Sequence, residues 1–154
     1  MTISVTNMMK IAMACDAAAY TFKTELKKIL DRKGYVITDF GCDSSESGEY
    51  PVFAKTVGEK VAGGEFDRGI LICGTGQGMC IAANKIKGVR AALCYDVLPA
   101  IMSREHNDAN ILTTGAWIVS VEKAVQVIEA WLFGRFAKGK HESRIRMIEK
   151  IEDD

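Results

Sequence analysis

The 154-residue sequence predicts a single-domain α/β fold: a Rossmann-like, three-layer α/β/α arrangement around a five-stranded parallel sheet. Three observations predict it. Five short apolar runs of strand length alternate with longer stretches of helical periodicity. The spacing between runs suits βαβ units, whose crossovers are right-handed. Glycine and proline stand at the boundaries between runs.

Met9 to Cys15 is the first apolar run and reads as a buried strand, with Asp16 at its carboxyl end. Ala17 to Lys33 is expected to be helical, with Tyr20, Phe22, Leu26 and Leu30 on its apolar side and Gly34 as its stop. Tyr35 to Phe40 is the second strand, followed by a polar loop over 41–50. Pro51 suits the first turn of a helix running to Gly63. Arg68 to Cys73 is the third strand, and a helix is expected from Met79 to Lys85. Val89 to Cys94 is the fourth strand, with Val97 to Glu105 helical after it. Ala109 to Thr114 is the fifth strand, ending at Gly115. An amphipathic helix over Val121 to Phe133, a basic turn over Gly134 to Gly139 and a charged helix over His141 to Glu152 complete the chain.

Composition narrows the function. Lys and Arg number 20, and so do Asp and Glu, so no charge bias points to nucleic acid or a membrane surface. No apolar run approaches the ~20 residues that span a bilayer. The stretch from Met1 to Asn7 lacks a basic region and a cleavage site, so no secretory signal is expected, and residues 1–8 read as a flexible extension. The five cysteines are odd in number and border apolar strands, which suits reduced thiols in a cytoplasm. No Cys-x-x-Cys or paired His supports a metal site.

The chemistry concentrates in the segment from Arg68 to Lys85. A buried strand ends at Cys73 and turns through Gly74, Thr75, Gly76 and Gly78 into a helix. Such a turn makes a cradle of backbone N–H groups that suits an anion. A thiol and a hydroxyl beside preorganised N–H donors form a catalytic arrangement. A purely structural turn is the alternative, because strand–glycine–helix turns are common. Cys73 is the leading candidate; Cys15, Cys80 and Cys94 read as small buried hydrophobes. Asp16 falls on the same sheet edge, where it either caps the next helix or binds a ligand. His106, one of only two histidines, stands in a polar cluster with Arg104, Asn107 and Asp108, which suits acid–base work. Lys138, Lys140, His141, Arg144 and Arg146 form a basic patch, either a solvated face or a phosphate clamp.

These residues resemble the ribose-5-phosphate isomerase B and galactose-6-phosphate isomerase family. The marks are Ile72-Cys-Gly-Thr-Gly-Gln-Gly78, Ala82-Ala-Asn-Lys85, Gly88-Val-Arg-Ala-Ala92 and Ser103-Arg-Glu-His-Asn-Asp108, and the likeness runs from Lys10 to about Glu149. It implies an aldose–ketose isomerase of sugar phosphates that uses no metal and no cofactor. Cys73 would move a proton between C1 and C2 through a cis-enediolate. The amides of Gly74, Gly76 and Gly78, with Thr75, would stabilise its oxygen. His106 would open the sugar ring, and Asp16, Tyr50 and Asn107 would hold hydroxyl groups. Lys140, His141 and Arg144 would bind phosphate. The resemblance also implies a homodimer, or a dimer of dimers, with shared sites and residues 140–154 packed on a partner subunit. The sequence departs from the family's pattern in three places: near the C-terminus a usual arginine is Lys140 while Arg144 is kept, and two further changes bear on specificity. A usual histidine is Ala17, and a phosphate-contacting arginine aligns with Trp117. Ribose 5-phosphate, in exchange with ribulose 5-phosphate, or a relative is the substrate the resemblance implies first; Ala17 and Trp117 favour the alternative of a different sugar, such as a tetrose phosphate, a hexose 6-phosphate or an unphosphorylated sugar. A non-catalytic sugar-phosphate-binding subunit is the remaining reading.

Overall fold

A computed structural model describes residues 8–154, so most of the expected extension over residues 1–8 lies outside the described residues. The strands are β1 (Lys10–Cys15), β2 (Val36–Asp39), β3 (Arg68–Cys73), β4 (Ala91–Leu93) and β5 (Ile111–Gly115). The helices are α1 (Tyr20–Arg32), α2 (Tyr50–Ala62), α3 (Gln77–Ala83), α4 (Val97–Asn107), α5 (Val121–Phe133) and α6 (Lys140–Ile151). All strand pairings are parallel, in the order β2-β1-β3-β5-β4.

The central strands β1, β3 and β5 are buried on both faces, which is why they read as largely apolar runs, whereas the edge strands β2 and β4 are exposed or half-buried. Ile11, Met13, Cys15, Ile70, Ile72 and Leu112 point to the layer built from α1, α4 and α5. Ala12, Ala14, Leu71, Cys73 and Ile111 point to the layer of α2 and α3. Trp131 of α5 is fully buried in the first layer. Among the described residues no helix is long and apolar enough to cross a membrane.

Several boundaries differ from those expected, each for a local reason. Residues Ala17–Ala19 form a 3₁₀ turn before α1, because the Asp16 carboxylate accepts the Ala19 N–H at 3.2 Å and closes a tighter turn there. Gly34 does end the helix, at φ 93°. β4 is shorter than its apolar run and lies at the edge of the sheet. There Asn84 substitutes for a neighbouring strand, accepting the Ala91 N–H at 2.8 Å and donating to its carbonyl at 2.9 Å. α3 begins two residues early, at Gln77, and α4 runs two residues late, to Asn107.

One buried charge links a helix to the site-bearing edge. Lys23 of α1 is 1% exposed, and its Nζ donates to Asp39 Oδ1 at 2.7 Å and to the Cys42 carbonyl at 2.9 Å. Asp39 Oδ1 also accepts the Gly41 N–H at 2.9 Å. The network anchors the start of the loop that runs to Tyr50.

Candidate active site

The strand order places a topological switch between β1 and β3. The chain moves outward from β1 to β2, then returns past β1 to β3. At such a switch the loops leaving the two strands part to opposite faces and open a crevice at the carboxyl edge. Asp16 and Cys73 are the residues that end or follow those two strands, and the Asp16 N–H donates to the Ile72 carbonyl at 3.2 Å.

Cys73 is 5% exposed and points into the α2–α3 layer. The turn after it folds back so that the Gly76 N–H donates to Cys73 Sγ at 3.1 Å. Gly76 has φ 80°, in the left-handed region, and a Cβ there would stand 2.7 Å from the Thr114 carbonyl carbon. The turn therefore needs glycine for both its backbone and its contact with β5. Thr75 Oγ1 accepts the Gln77 N–H at 3.3 Å, and the Tyr95 hydroxyl donates to the Thr75 carbonyl.

Two aromatic rings bracket the turn. The backbone N–H of Trp117 donates to the Gly74 carbonyl at 2.9 Å, and the indole lies over Gly74, where a Cβ would stand 2.7 Å from ring carbons. The Tyr50 ring lies over Gly78, where a Cβ would stand 2.9 Å from it. Trp117 is 71% exposed, so one face is packed on the turn and much of the rest is open. Asp16 is half-buried, and that burial raises its carboxyl above the usual range, opposed by the backbone N–H groups of Ala19 and Ala18. Ala17 donates its N–H to the Gly48 carbonyl at 3.4 Å.

The structure thus brings Asp16, Ala17, Tyr50, Cys73, Gly74, Thr75, Gly76, Gly78 and Trp117 to one edge. The remaining expected residues are elsewhere. His106 and Asn107 form the last turn of α4, before β5, whereas Cys73 pairs in register with Gly115 at the far end of β5. The four steps from Ile111 to Gly115 alone span about 13 Å at ~3.3 Å per residue. His106 and Cys73 of one chain therefore stand at opposite edges of the sheet.

That second edge carries its own cluster. The His106 and His141 rings stack with centroids 4.3 Å apart and planes 11° apart. Desolvation, then the charges of His106, Lys140 and Arg144, hold His141 below the usual histidine range. A groove of about 390 Å³ opens beside it, lined by Asn84, Arg90, Asn107, Ile148 and Ile151 among others. This groove lies on the Asn107 side, and none of its lining residues belongs to the Cys73 turn.

The other thiols accord in part with the expectation of buried hydrophobes. Burial pushes Cys15 up to about 12 and Cys94 up to about 11. Cys80 is only half-buried, with its Sγ 3.5 Å from the Ala91 carbonyl. Two residues of interest were not singled out from the sequence. Tyr95 supports the turn, and its place directly after an apolar run on the same edge was a usable signal. Arg90 grips the end of α4, and its signal was the Gly88-Val-Arg-Ala-Ala92 mark in which it stands. Among the described residues, no three His, Cys, Asp or Glu side chains gather closely enough to hold a metal ion.

Comparison with known proteins gives consistent matches. The family model described as Ribose/Galactose Isomerase matches residues 11–148. Ribose-5-phosphate isomerase B of Escherichia coli (strain K12) is 44% identical over 145 residues, covering 94% of this chain and 97% of the relative. D-erythrulose-4-phosphate isomerase of Pectobacterium atrosepticum is 39% identical over 142 residues, covering 92% and 93%. The solved structure of Clostridium thermocellum ribose-5-phosphate isomerase B superposes with a TM-score of 0.92 at 46% identity, covering 94% of this chain and 98% of that one.

Proposed function

The chain belongs to the ribose/galactose isomerase family, and from that premise we propose that it is an aldose–ketose isomerase whose substrate pair is ribose 5-phosphate and ribulose 5-phosphate. One observation carries the reading: a thiol, Cys73, at the strand switch, with a glycine-turn N–H 3.1 Å from its sulfur. Proton abstraction beside a carbonyl needs a base and donors for the developing oxyanion, and this turn supplies both kinds of group.

His106 moves a proton from the anomeric hydroxyl to the ring oxygen and so opens the furanose. The Cys73 thiolate takes the proton from C2 of the open aldose, and the electron pair passes to O1. The amides of Gly74, Gly76 and Gly78, with Thr75, stabilise the resulting cis-enediolate; one such donor is typically worth ~10²–10³ in rate. A proton passes from O2 to O1, and Cys73 returns its proton to C1 to give the ketose. Asp16, Tyr50 and Asn107 hold substrate hydroxyls. No metal or cofactor enters this scheme. Because His106 and Cys73 stand at opposite edges, we infer a homodimer, alone or paired into a tetramer, with shared sites. His106, Asn107, Lys140, His141 and Arg144 of one copy complete the turn of the other, the last three holding phosphate. Exposed Met147, Ile148 and Ile151 on α6 support packing of residues 140–154 on that second copy. The enzyme is placed in the cytoplasm, which suits its free thiols.

A second reading keeps the chemistry and changes the sugar to a tetrose phosphate, a hexose 6-phosphate or an unphosphorylated sugar. It is favoured by the Trp117 indole over Gly74 and the small Ala17 beside Asp16. NMR in D₂O with a panel of these aldoses tests both readings. Ketose formation from ribose 5-phosphate, lost in Cys73→Ala, supports the first. Turnover confined to another sugar supports the second. Silence from folded protein refutes both and leaves a non-catalytic subunit.

A further inference from the structure

The turn that carries His106 is held more heavily than a helix end requires. α4 stops at Asn107, and Asp108 takes a left-handed conformation, φ 46° and ψ 44°. Glycine fills that position in many helices, because it meets no Cβ penalty there. Here two guanidinium groups hold a charged residue in it. Arg104 is 4% exposed, and its Nη1 donates to Asp108 Oδ1 at 2.7 Å and to the Ala109 carbonyl at 2.7 Å. Arg90, just before β4, donates from Nε to the carbonyls of Asn107 at 3.0 Å and Asp108 at 3.2 Å. Its Nη2 reaches the Asp108 carbonyl at 3.2 Å and Asp108 Oδ2 at 3.3 Å.

Each oxygen of the Asp108 carboxylate therefore takes one arginine, and the carbonyls of three successive residues are fixed. Arg90 Nη1 also faces Glu149 Oε1 of α6 at 3.5 Å. On the other flank, the Ala137 N–H donates to the Glu105 carbonyl at 2.9 Å, and His141 stacks on His106. His106 and Asn107 themselves are exposed. An exposed side chain cannot be oriented by core packing, so its direction comes from the backbone beneath it and, for His106, from the stacked His141 ring as well.

We propose that Arg90 and Arg104, acting through Asp108, are positioning residues for ring opening. They hold His106 and Asn107 at a fixed height and direction at the amino edge, where a substrate bound mainly by another copy must meet them. This inference rests on the isomerase reading above.

The test separates ring opening from proton transfer. Ribulose 5-phosphate is acyclic, because its O5 carries the phosphate and cannot close a furanose on C2. Deuterium entry at its C1 in D₂O therefore needs the Cys73 turn and the groups that hold the substrate, but no ring opening by His106. Conversion of cyclic ribose 5-phosphate also needs His106. For Arg90→Gln, compared with wild type at equal folded concentration, conversion of ribose 5-phosphate is expected to fall by about 10²-fold, the scale of a misplaced catalytic group, with C1 exchange within about threefold. Asp108→Asn keeps a residue that tolerates the left-handed region while removing the charge, and shows the same split if Arg90→Gln does not fold. Parallel loss of both reactions, or loss of neither, in folded variants overturns the inference and leaves the isomerase reading standing. A wild type that exchanges no deuterium into ribulose 5-phosphate overturns the parent reading, and this one with it.

Discussion

Gly76→Ala tests whether the turn after Cys73 is built for its geometry. Two separate penalties apply. The φ of 80° places an L-residue in the left-handed region, at about 1–2 kcal/mol. The new Cβ would then stand 2.7 Å from the Thr114 carbonyl carbon and 2.8 Å from its oxygen. Those atoms belong to β5, inside the sheet, and cannot swing aside as a side-chain tip can. Overpacking of this kind adds about 1–3 kcal/mol. Gly34→Ala supplies the control: its φ is 93°, and nothing lies within 4 Å of a Cβ there. Urea unfolding of the two variants should therefore differ by about 1–3 kcal/mol, with Gly76→Ala the weaker. Turnover should separate them further. Relief of the contact moves the Gly76 N–H away from Cys73 Sγ, and loss of one oxyanion donor costs ~10²–10³ in kcat. Gly34→Ala should retain wild-type turnover. A Gly76→Ala enzyme as stable as the control and within about threefold of wild-type kcat would refute the reasoning, because the turn would then tolerate what its geometry forbids.

Further outcomes follow from the same structure. Lys23→Met leaves the Cys42 carbonyl and Asp39 without their buried donor; since Asp39 is partly solvated, the cost is about 2–4 kcal/mol by urea unfolding. Burial raises the Asp16 carboxyl in the folded state, so its ionisation opposes folding above that raised value and costs nothing once the group is protonated in both states. Asp16→Asn should therefore melt higher than wild type at neutral pH, the gap closing as pH falls through the carboxyl range, while turnover drops; a gap that widens on acidification refutes the assignment. Iodoacetamide at neutral pH, read by peptide mass mapping, should leave Cys15 and Cys94 unmodified, because burial holds them at about 12 and about 11; alkylation of either in folded protein would contradict that.

Local signals were enough for much of this chain. Apolar runs located β1, β3 and β5, because a strand covered on both faces must be largely apolar, and the glycines before them, Gly34 and Gly88, helped mark the edge strands β2 and β4. The run of three glycines after Cys73 located the turn, because only glycine meets the close approach at Gly76. Helix ends were less legible. Asp108 ends α4 in a conformation glycine usually supplies, and of the two arginines that hold it only Arg104 is near in sequence, while Arg90 is 18 residues away. The order β2-β1-β3-β5-β4 was likewise absent from the sequence, and that order alone sets Asp16 beside Cys73 and opens the crevice between their loops. The same folding lays Trp117 on Gly74 and Tyr50 on Gly78, and sends His106 to the opposite edge to stack on His141. Composition and periodicity report what each residue must bury, which is a local demand. Which residues meet depends on how the buried faces are shared among five strands and six helices, and that is settled only when the whole core packs at once.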